Sequence, residues 1–293
     1  MRRWAQRRTD LWRAPLESFV CVLSASPSVN LSLPPSLCLG AAQSISVPGD
    51  VPGNVQTHLS MALAAARQGV QLLVFPELSL TGYEPSLVAR HVLDAGDAVL
   101  APLRDVARTT GMALVVGAPV AAFTPLKACA KDARPAIGAW LFEADGSATL
   151  YRKRYLHPGE DQFASAGTQD CLVRPLAGAL TALAICADTT HPEHAQAARH
   201  GGAALYACGS LISEGGYERD AAQLQGYAAD LDLAVLMANH GGPTGGYLCA
   251  GRSAFWAPGG EQVIAAPGPG ACLVIASRQG EAWQGRVLDM EAP

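Results

Sequence analysis

The sequence predicts a single α/β domain built in layers, and three observations carry that prediction. From Leu37 onward, short apolar runs of strand length alternate with longer stretches of helical periodicity. Some of those apolar runs end in a carboxylate, a cysteine or a glycine-rich stretch, so reactive side chains fall just past strand ends. With 293 residues the chain is long enough for one large core, and its apolar segments are spread without a break that would divide it.

Taken in order, residues 37–42 form the first strand, and Pro48-Gly49-Asp50 turns the chain. Residues 54–68 then place Val55, Leu59, Ala62, Leu63 and Ala66 on one face of a helix. Residues 71–75 are a buried strand that stops at Pro76. A helix over 88–110, with Val92, Val99, Leu103 and Val106 inward, leads to a strand over 112–116. Residues 137–142 and 148–151 form a hairpin through Asp145-Gly146. In the second half, strands over 180–185, 203–207 and 233–238 are separated by helices near 192–200 and 217–230. Strands over 252–256, 262–265 and 271–276 close the sheet, and 281–293 read as a C-terminal tail. Mixed strand pairing is expected, because hairpins are mingled with helical crossovers. The run from Gly241 to Gly246 is not followed by a helix and has no Lys beside Ser or Thr. It reads as a mobile loop near a pocket and not as a phosphate loop.

Bulk composition removes several classes of function. Hydrophobic residues make up 49% of the chain, yet no stretch reaches the ~20 apolar residues that span a bilayer, so no membrane partner is expected. A net charge of -4 offers no basic footprint for nucleic acid. The eight cysteines are scattered, several within apolar runs, and read as reduced thiols in a cytoplasmic protein. Cys186 with His191 and His194 lacks a nearby fourth ligand, so no metal is expected. Residues 1–36 stand apart, with Arg2, Arg3, Arg7, Arg8 and Arg13 ahead of a Pro/Ser-rich stretch. They read as a disordered extension or an over-long gene start. A targeting segment is the lesser alternative, since the apolar piece at 19–23 is shorter than the ~7 residues of a signal-peptide core.

Three segments carry candidate chemistry. In Phe75-Pro76-Glu77-Leu78, a carboxylate follows a strand end among apolar neighbours, which would raise its pKa toward that of a general base. A lone Glu in such a place is more often an exposed loop residue. In Tyr151-Arg152-Lys153-Arg154, strand alternation turns Lys153 away from the two arginines, toward Glu160. In Ile185-Cys186-Ala187-Asp188, a cysteine ends an apolar strand, and Thr190-x-x-Glu193 forms a capping box with Pro192 in the first helical turn. A cysteine there lies near the positive helix end, which favours thiolate.

Together these segments resemble the nitrilase superfamily of carbon–nitrogen hydrolases over residues 37–276, within a domain expected at 37–280. Phe75-Pro76-Glu77 with Thr81-Gly82-Tyr83 resembles its glutamate motif, and Tyr151-Arg152-Lys153 with His157-Pro158-Gly159-Glu160 its lysine motif. Ile185-Cys186-Ala187-Asp188 resembles its cysteine motif, while Ala238-Asn239 with Gly251-Arg252-Ser253 is similar to its later strand-and-loop signature. The resemblance implies a four-layer αββα sandwich, a homodimer or higher homo-oligomer, and a cofactor-free site. In that site Cys186 is the nucleophile, Glu77 the general base, Lys153 with the N–H of Ala187 the oxyanion donors, and Glu160 a support. Tyr83, His157 and Thr189 fall where substrate would bind. Thr189-Thr190-His191 and Gln225-Gly226-Tyr227 depart from the common pattern, and both fall where a substrate pocket or dimer surface is expected. The implied reaction is hydrolysis of a small amide or carbamoyl compound through a thioester, releasing ammonia or an amine. Asp188, two positions after the cysteine, favours an amide over a nitrile. Nitrile hydrolysis, acyl transfer and a silent small-molecule-binding member of the fold are the alternatives, and a Cys–His pair ranks below them because it leaves Glu77 and Lys153 without a role.

Overall fold

A computed structural model of the chain describes residues 32–122 and 134–290. The expected extension lies outside the described residues up to position 31.

The first half of the chain builds one sheet and its helical cover. Its elements are β1 (Ser36–Gln43), α1 (Val51–Arg67), β2 (Leu72–Val74), the single turn α2 (Pro85–Val88), α3 (Ala101–Thr110), β3 (Ala113–Val120), β4 (Ala136–Phe142) and β5 (Ala148–Arg152). The second half continues with β6 (Leu172–Leu176), β7 (Ala179–Ile185), α4 (Pro192–His200), β8 (Leu205–Ser210), α5 (Tyr217–Asp230), β9 (Ala234–Asn239), β10 (Ala254–Trp256), β11 (Gln262–Ala265), β12 (Cys272–Gln279) and β13 (Ala282–Asp289). One seven-stranded sheet runs β13-β12-β1-β2-β3-β4-β5, and a six-stranded sheet runs β11-β10-β9-β8-β7-β6. Each has a parallel centre, β1-β2-β3 in one and β7-β8-β9 in the other, with antiparallel strands on both sides.

Strand alternation produces the layers. In β2, Leu72 and Val74 point between the sheets while Leu73 points to α1 and α3. In β8, Leu205 and Ala207 face the same inter-sheet core, while Tyr206 and Cys208 face α4 and α5. Both faces of the central strands are therefore buried, as their unbroken apolar sequence requires. The result is the αββα sandwich, helices outside and two sheets face to face.

Several expectations need correction. The helix expected over 88–110 is broken: Asp94 Oδ1 accepts from Gly96 N (2.9 Å), Asp97 Oδ2 accepts from Asp94 N (2.9 Å), and a regular helix starts only at Ala101, with a proline in its first turn. Local Asp-to-backbone bonds compete successfully with helix there, and Val92 is left exposed. Helix α1 starts earlier than expected, capped by Asp50, and buries Val51, Val55, His58, Met61, Ala62 and Ala65 while Leu63 is exposed. Its inner face is rotated because polar His58 belongs to it, stacked on Phe75 at 4.0 Å and bonded to Ser79 Oγ at 2.8 Å. The stretch expected as a tail includes β13, which pairs along the length of β12. Strand β6 had no counterpart in the sequence reading. The capping box at Thr190 and Glu193 is absent: His191 holds the cap position of α4 without a side-chain bond, and Thr190 Oγ1 donates to Ala187 O. The glycine-rich loop is fastened, with Thr244 Oγ1 accepting from Tyr83 N and Glu84 Oε1 accepting from Gly245 N, both at 2.9 Å.

Two glycines let the turn after β2 approach the sheets. A Cβ on Gly117 in β3 would overlap Pro76 O and Leu78 N, and one on Gly209 in β8 would overlap Phe75 O. Gly117→Ala and Gly209→Ala are each expected to destabilise by about 1–3 kcal/mol, the usual cost of overpacking. Equilibrium urea unfolding checks this, and a variant as stable as wild type would mean that the turn has slack.

Candidate active site

The glutamate turn is held from all sides. Phe75 N donates to Val115 O (2.9 Å) and Leu80 N to Gly117 O (3.0 Å), so β3 grips the chain on either side of Glu77. Leu78 takes φ of 51°, a left-handed conformation that sharpens the turn and aims the Glu77 side chain inward. Glu77 is 1% exposed.

Lys153 follows β5 and is wholly buried, while Arg152 and Arg154 on either side are half-buried. Its Nζ donates to Glu77 Oε1 at 2.6 Å and to Glu160 Oε1 at 2.7 Å. Glu160 is fixed in turn by Tyr83 OH (2.7 Å) and by the backbone N–H of His157, which donates to Oε2 at 2.7 Å. An ammonium has three protons, so one remains for a third acceptor.

Cys186 follows β7 directly, with φ of 42°, and opens a 3-10 turn, Cys186–Thr190. Its thiol donates to Leu211 O at 3.3 Å. Thr189 Oγ1 donates to Cys186 O at 2.8 Å, and Tyr227 OH donates to Thr189 O at 2.8 Å, which ties the turn to α5. Leu211 is itself positioned by Asn239, whose side chain accepts from Ile212 N (2.8 Å) and donates to Ile212 O (2.9 Å) and Gly251 O (2.8 Å).

Asp188 ties the cysteine segment to the lysine segment. The carboxylate has no exposure. Oδ1 accepts from Arg154 N (2.9 Å) and Tyr155 N (2.8 Å); Oδ2 accepts from Ile185 N (2.9 Å) and Tyr151 OH (2.8 Å). One side chain thus braces the residue before Cys186 against the two residues after Lys153. The Cys-x-Asp spacing was the available signal, but only the fold supplies the four donors.

Glu77, Tyr83, Glu160, Cys186, Ala187 and Thr189 line a cavity of about 100 Å³ together with Arg219, Asp220 and Tyr247, while Lys153 and Asp188 are buried behind this lining. His157 reaches the same cavity but is exposed. His194 does not contribute to it: the ring is buried between Tyr151 OH and Tyr206 OH, at 2.8 Å from each. The ring of His191 stacks on Tyr155 at 4.0 Å. A larger groove of about 590 Å³ lies elsewhere, around Cys38, Gln68 and Arg286, and holds none of these residues.

Burial dominates the electrostatics. Desolvation lifts Glu77 from its ordinary 4.5 to about 7, against the pull of Lys153 and with help from Glu160. Burial also disfavours charge on Lys153, but the facing Glu77, Cys186 and Glu160 overcome it and hold the ammonium protonated. The Cys186 thiol is pushed well above its ordinary value, first by burial and then by the Glu77 carboxylate. The thiolate expected from a helix end is therefore not the resting form. The turn after Cys186 is 3-10, and α4 begins only at Pro192.

Fold and site together define a hydrolase of the nitrilase superfamily. The pattern of the carbon–nitrogen hydrolase family matches residues 38–285, and the chain belongs to that family. Among solved structures it is similar to an amidase from Nesterenkonia sp., at 28% identity over 87% of this chain and 95% of that one, with a TM-score of 0.74. A glutamate-to-glutamine mutant of the amidase from Nesterenkonia sp. AN1 shows covalent addition of the acetamide moiety of fluoroacetamide at its active-site cysteine. It is 27% identical, covers 86% of this chain and 94% of that one, and has a TM-score of 0.75. A cysteine-to-alanine mutant in complex with butyramide is 27% identical over 85% of this chain and 94% of that one, with a TM-score of 0.74.

Asp188→Ala is expected to leave buried backbone donors unpaired and to cost roughly 3 kcal/mol of stability. Asp188→Asn turns an N–H₂ group toward at least one of those donors and is expected to fall between alanine and wild type. Urea unfolding of the two variants measures both, and an alanine variant at wild-type stability would remove the brace.

Proposed function

We propose that the chain hydrolyses small, neutral carboxamides through a thioester on Cys186, with release of ammonia. The observation that carries this reading is the state of Glu77: Oε1 is held by Lys153, while Oε2 is buried without a hydrogen-bond partner among the described residues. A carboxylate with one free oxygen and a pKa near 7, lining the cavity that holds the thiol, is equipped to accept a proton at working pH.

In the first half-reaction Glu77 takes the proton of Cys186 as sulfur attacks the carboxamide carbon. The C=O pair moves to oxygen, where the third Lys153 proton and the N–H of Ala187 meet the charge; one such donor is typically worth ~3 kcal/mol of barrier. The tetrahedral adduct collapses, the C–N bond breaks, and Glu77 returns its proton to the departing NH₂ group, giving ammonia and the thioester. Water then enters. Glu77 deprotonates it, hydroxide attacks the thioester, and the C–S pair returns to sulfur with the proton from Glu77, giving the carboxylic acid. Proton count closes with no further base.

The substrate class follows from space and charge. A cavity of about 100 Å³ suits a short aliphatic amide better than a bulky one. The Lys153 ammonium, buried behind the lining, is already shared by two carboxylates, and Arg219 in the lining is paired with Asp220 at 2.8 Å. A substrate carboxylate would find no free cation within that lining.

Ammonia release from short amides, ω-amides of dicarboxylic acids, N-carbamoyl compounds and nitriles tests the reading. Short amides are expected to react best, and Cys186→Ala to lose roughly 10³-fold or more. Nitriles hydrolysed in place of amides would move the assignment to the alternative chemistry, and Cys186→Ala at wild-type rate would end it.

The pH profile is a second check. The working form of Glu77 is the anion, so kcat/KM is expected to fall as pH drops through about 7. Glu160 raises the Glu77 pKa, so Glu160→Gln is expected to move that limb to lower pH; a limb that stays in place, or moves up, would contradict the assignment. Because the thiol rests protonated, iodoacetamide labelling of Cys186 near pH 7 is expected to depend on Glu77 and to slow in Glu77→Gln. Labelling at the same rate in both would mean a preformed thiolate.

A further inference from the structure

His240 is the first residue after β9 and has no solvent exposure. Its backbone N–H donates to Asn239 Oδ1 at 2.9 Å, and its ring Nε2 lies 2.7 Å from the main-chain oxygen of Glu77. A carbonyl oxygen only accepts, so Nε2 carries the proton and Nδ1 is the bare nitrogen. Nδ1 is buried without a partner among the described residues. Burial holds the ring pKa down to about 4, so the neutral Nε2–H tautomer persists over the working range.

The bond lands on the peptide that sets the aim of the base. The carbonyl of Glu77 and the nitrogen of Leu78 belong to one rigid plane, and Leu78 takes φ of 51°, a conformation unfavourable to a residue with a Cβ. Without that bond the plane is free to rotate toward a relaxed Leu78, and the backbone at Glu77, with its side chain, is free to shift relative to Lys153. The bonds of Phe75 and Leu80 to β3 fix the chain on either side of the plane, and neither holds the carbonyl of Glu77. His240 does so from the other sheet.

We propose that His240 is a positioning residue for the general base: its Nε2–H clamps the Glu77 peptide and thereby fixes the carboxylate against Lys153. The inference rests on Glu77 being the base. Phe75, Pro76 and Leu78 surround this peptide in sequence, and the charged or titratable groups facing the Glu77 carboxylate are Lys153, Glu160, Cys186 and Tyr83.

The test compares His240→Gln, His240→Asn and His240→Leu with wild type and Glu77→Gln, measuring kcat, KM, the pH profile and thermal denaturation. Glutamine carries an N–H group at the reach of Nε2; asparagine is too short for it, and leucine has no donor. His240→Gln is expected to keep kcat within about threefold, and His240→Asn and His240→Leu to lose about 10- to 100-fold in kcat with KM little changed, the scale of a base misplaced by an ångström or less. In the latter two the acid limb is expected to move to higher pH, because Glu77 has drawn away from Lys153. Wild-type kcat in folded His240→Leu, a loss in His240→Gln as large as in leucine, or a lowered kcat without a shifted limb would each overturn the clamp. If asparagine and leucine do not fold, His240→Gln decides alone: kcat retained sustains the clamp, and kcat lost overturns it. Wild-type activity in Glu77→Gln would defeat the base assignment itself, whereas an inactive Glu77→Gln beside a fully active His240→Leu defeats only the clamp.

Discussion

A wholly buried ammonium lies between two carboxylates, Lys153 against Glu77 at 2.6 Å and Glu160 at 2.7 Å, and much of the surrounding architecture maintains that arrangement. Removing one member of such a buried group leaves an uncompensated charge and typically costs ~3–5 kcal/mol. The three residues come from the end of β2, the end of β5 and the loop beyond it, so the group also ties the central part of its sheet to the edge. Tyr83 OH and the His157 N–H complete the shell of Glu160. One oxygen, Glu77 Oε2, has no hydrogen-bond partner among the described residues, and that is the atom the proposed chemistry needs.

Two strained turns bring the Glu77 carboxyl and the Cys186 thiol into one cavity. Leu78 and Cys186 both take left-handed φ, just after or at the reactive residue, and both turns leave the parallel centre of a sheet at its carboxyl end. Such strain persists only where packing over-determines it. Glycines at 117 and 209 remove the side chains that would block the first turn. Asp188 and the Tyr227–Thr189 bond hold the second. Here stability is spent on geometry: desolvation raises the Glu77 carboxyl to about 7 and pushes the Cys186 thiol up.

The strands of the parallel centres were legible because both faces are buried, and a run such as Leu180–Ile185 has few other uses. Helix α1 was legible as a helix, but not its inner face, since His58 is buried through hydrogen bonds and stacking that a hydrophobic pattern does not register. The break near Asp94 was missed because two aspartates that suit a solvated helix also close local turns. Edge strand β13 reads as a tail because half of it faces solvent, and its pairing with β12 is a property of the partner.

By itself the sequence determined the layered α/β class and three candidate residues, Glu77, Lys153 and Cys186, each just past a strand. These are local features, set by alternation and by where apolar runs stop. Only the tertiary structure decided that Asp188 accepts four hydrogen bonds, that Asn239 holds the carbonyl beside the thiol, and that His240 reaches Glu77 across 163 residues. It also decided that burial and the Glu77 carboxylate push the Cys186 thiol up, opposite to the lowering expected from a helix end. Charge state depends on desolvation and on which charges lie within a few ångströms, and neither is written in the spacing of residues along the chain.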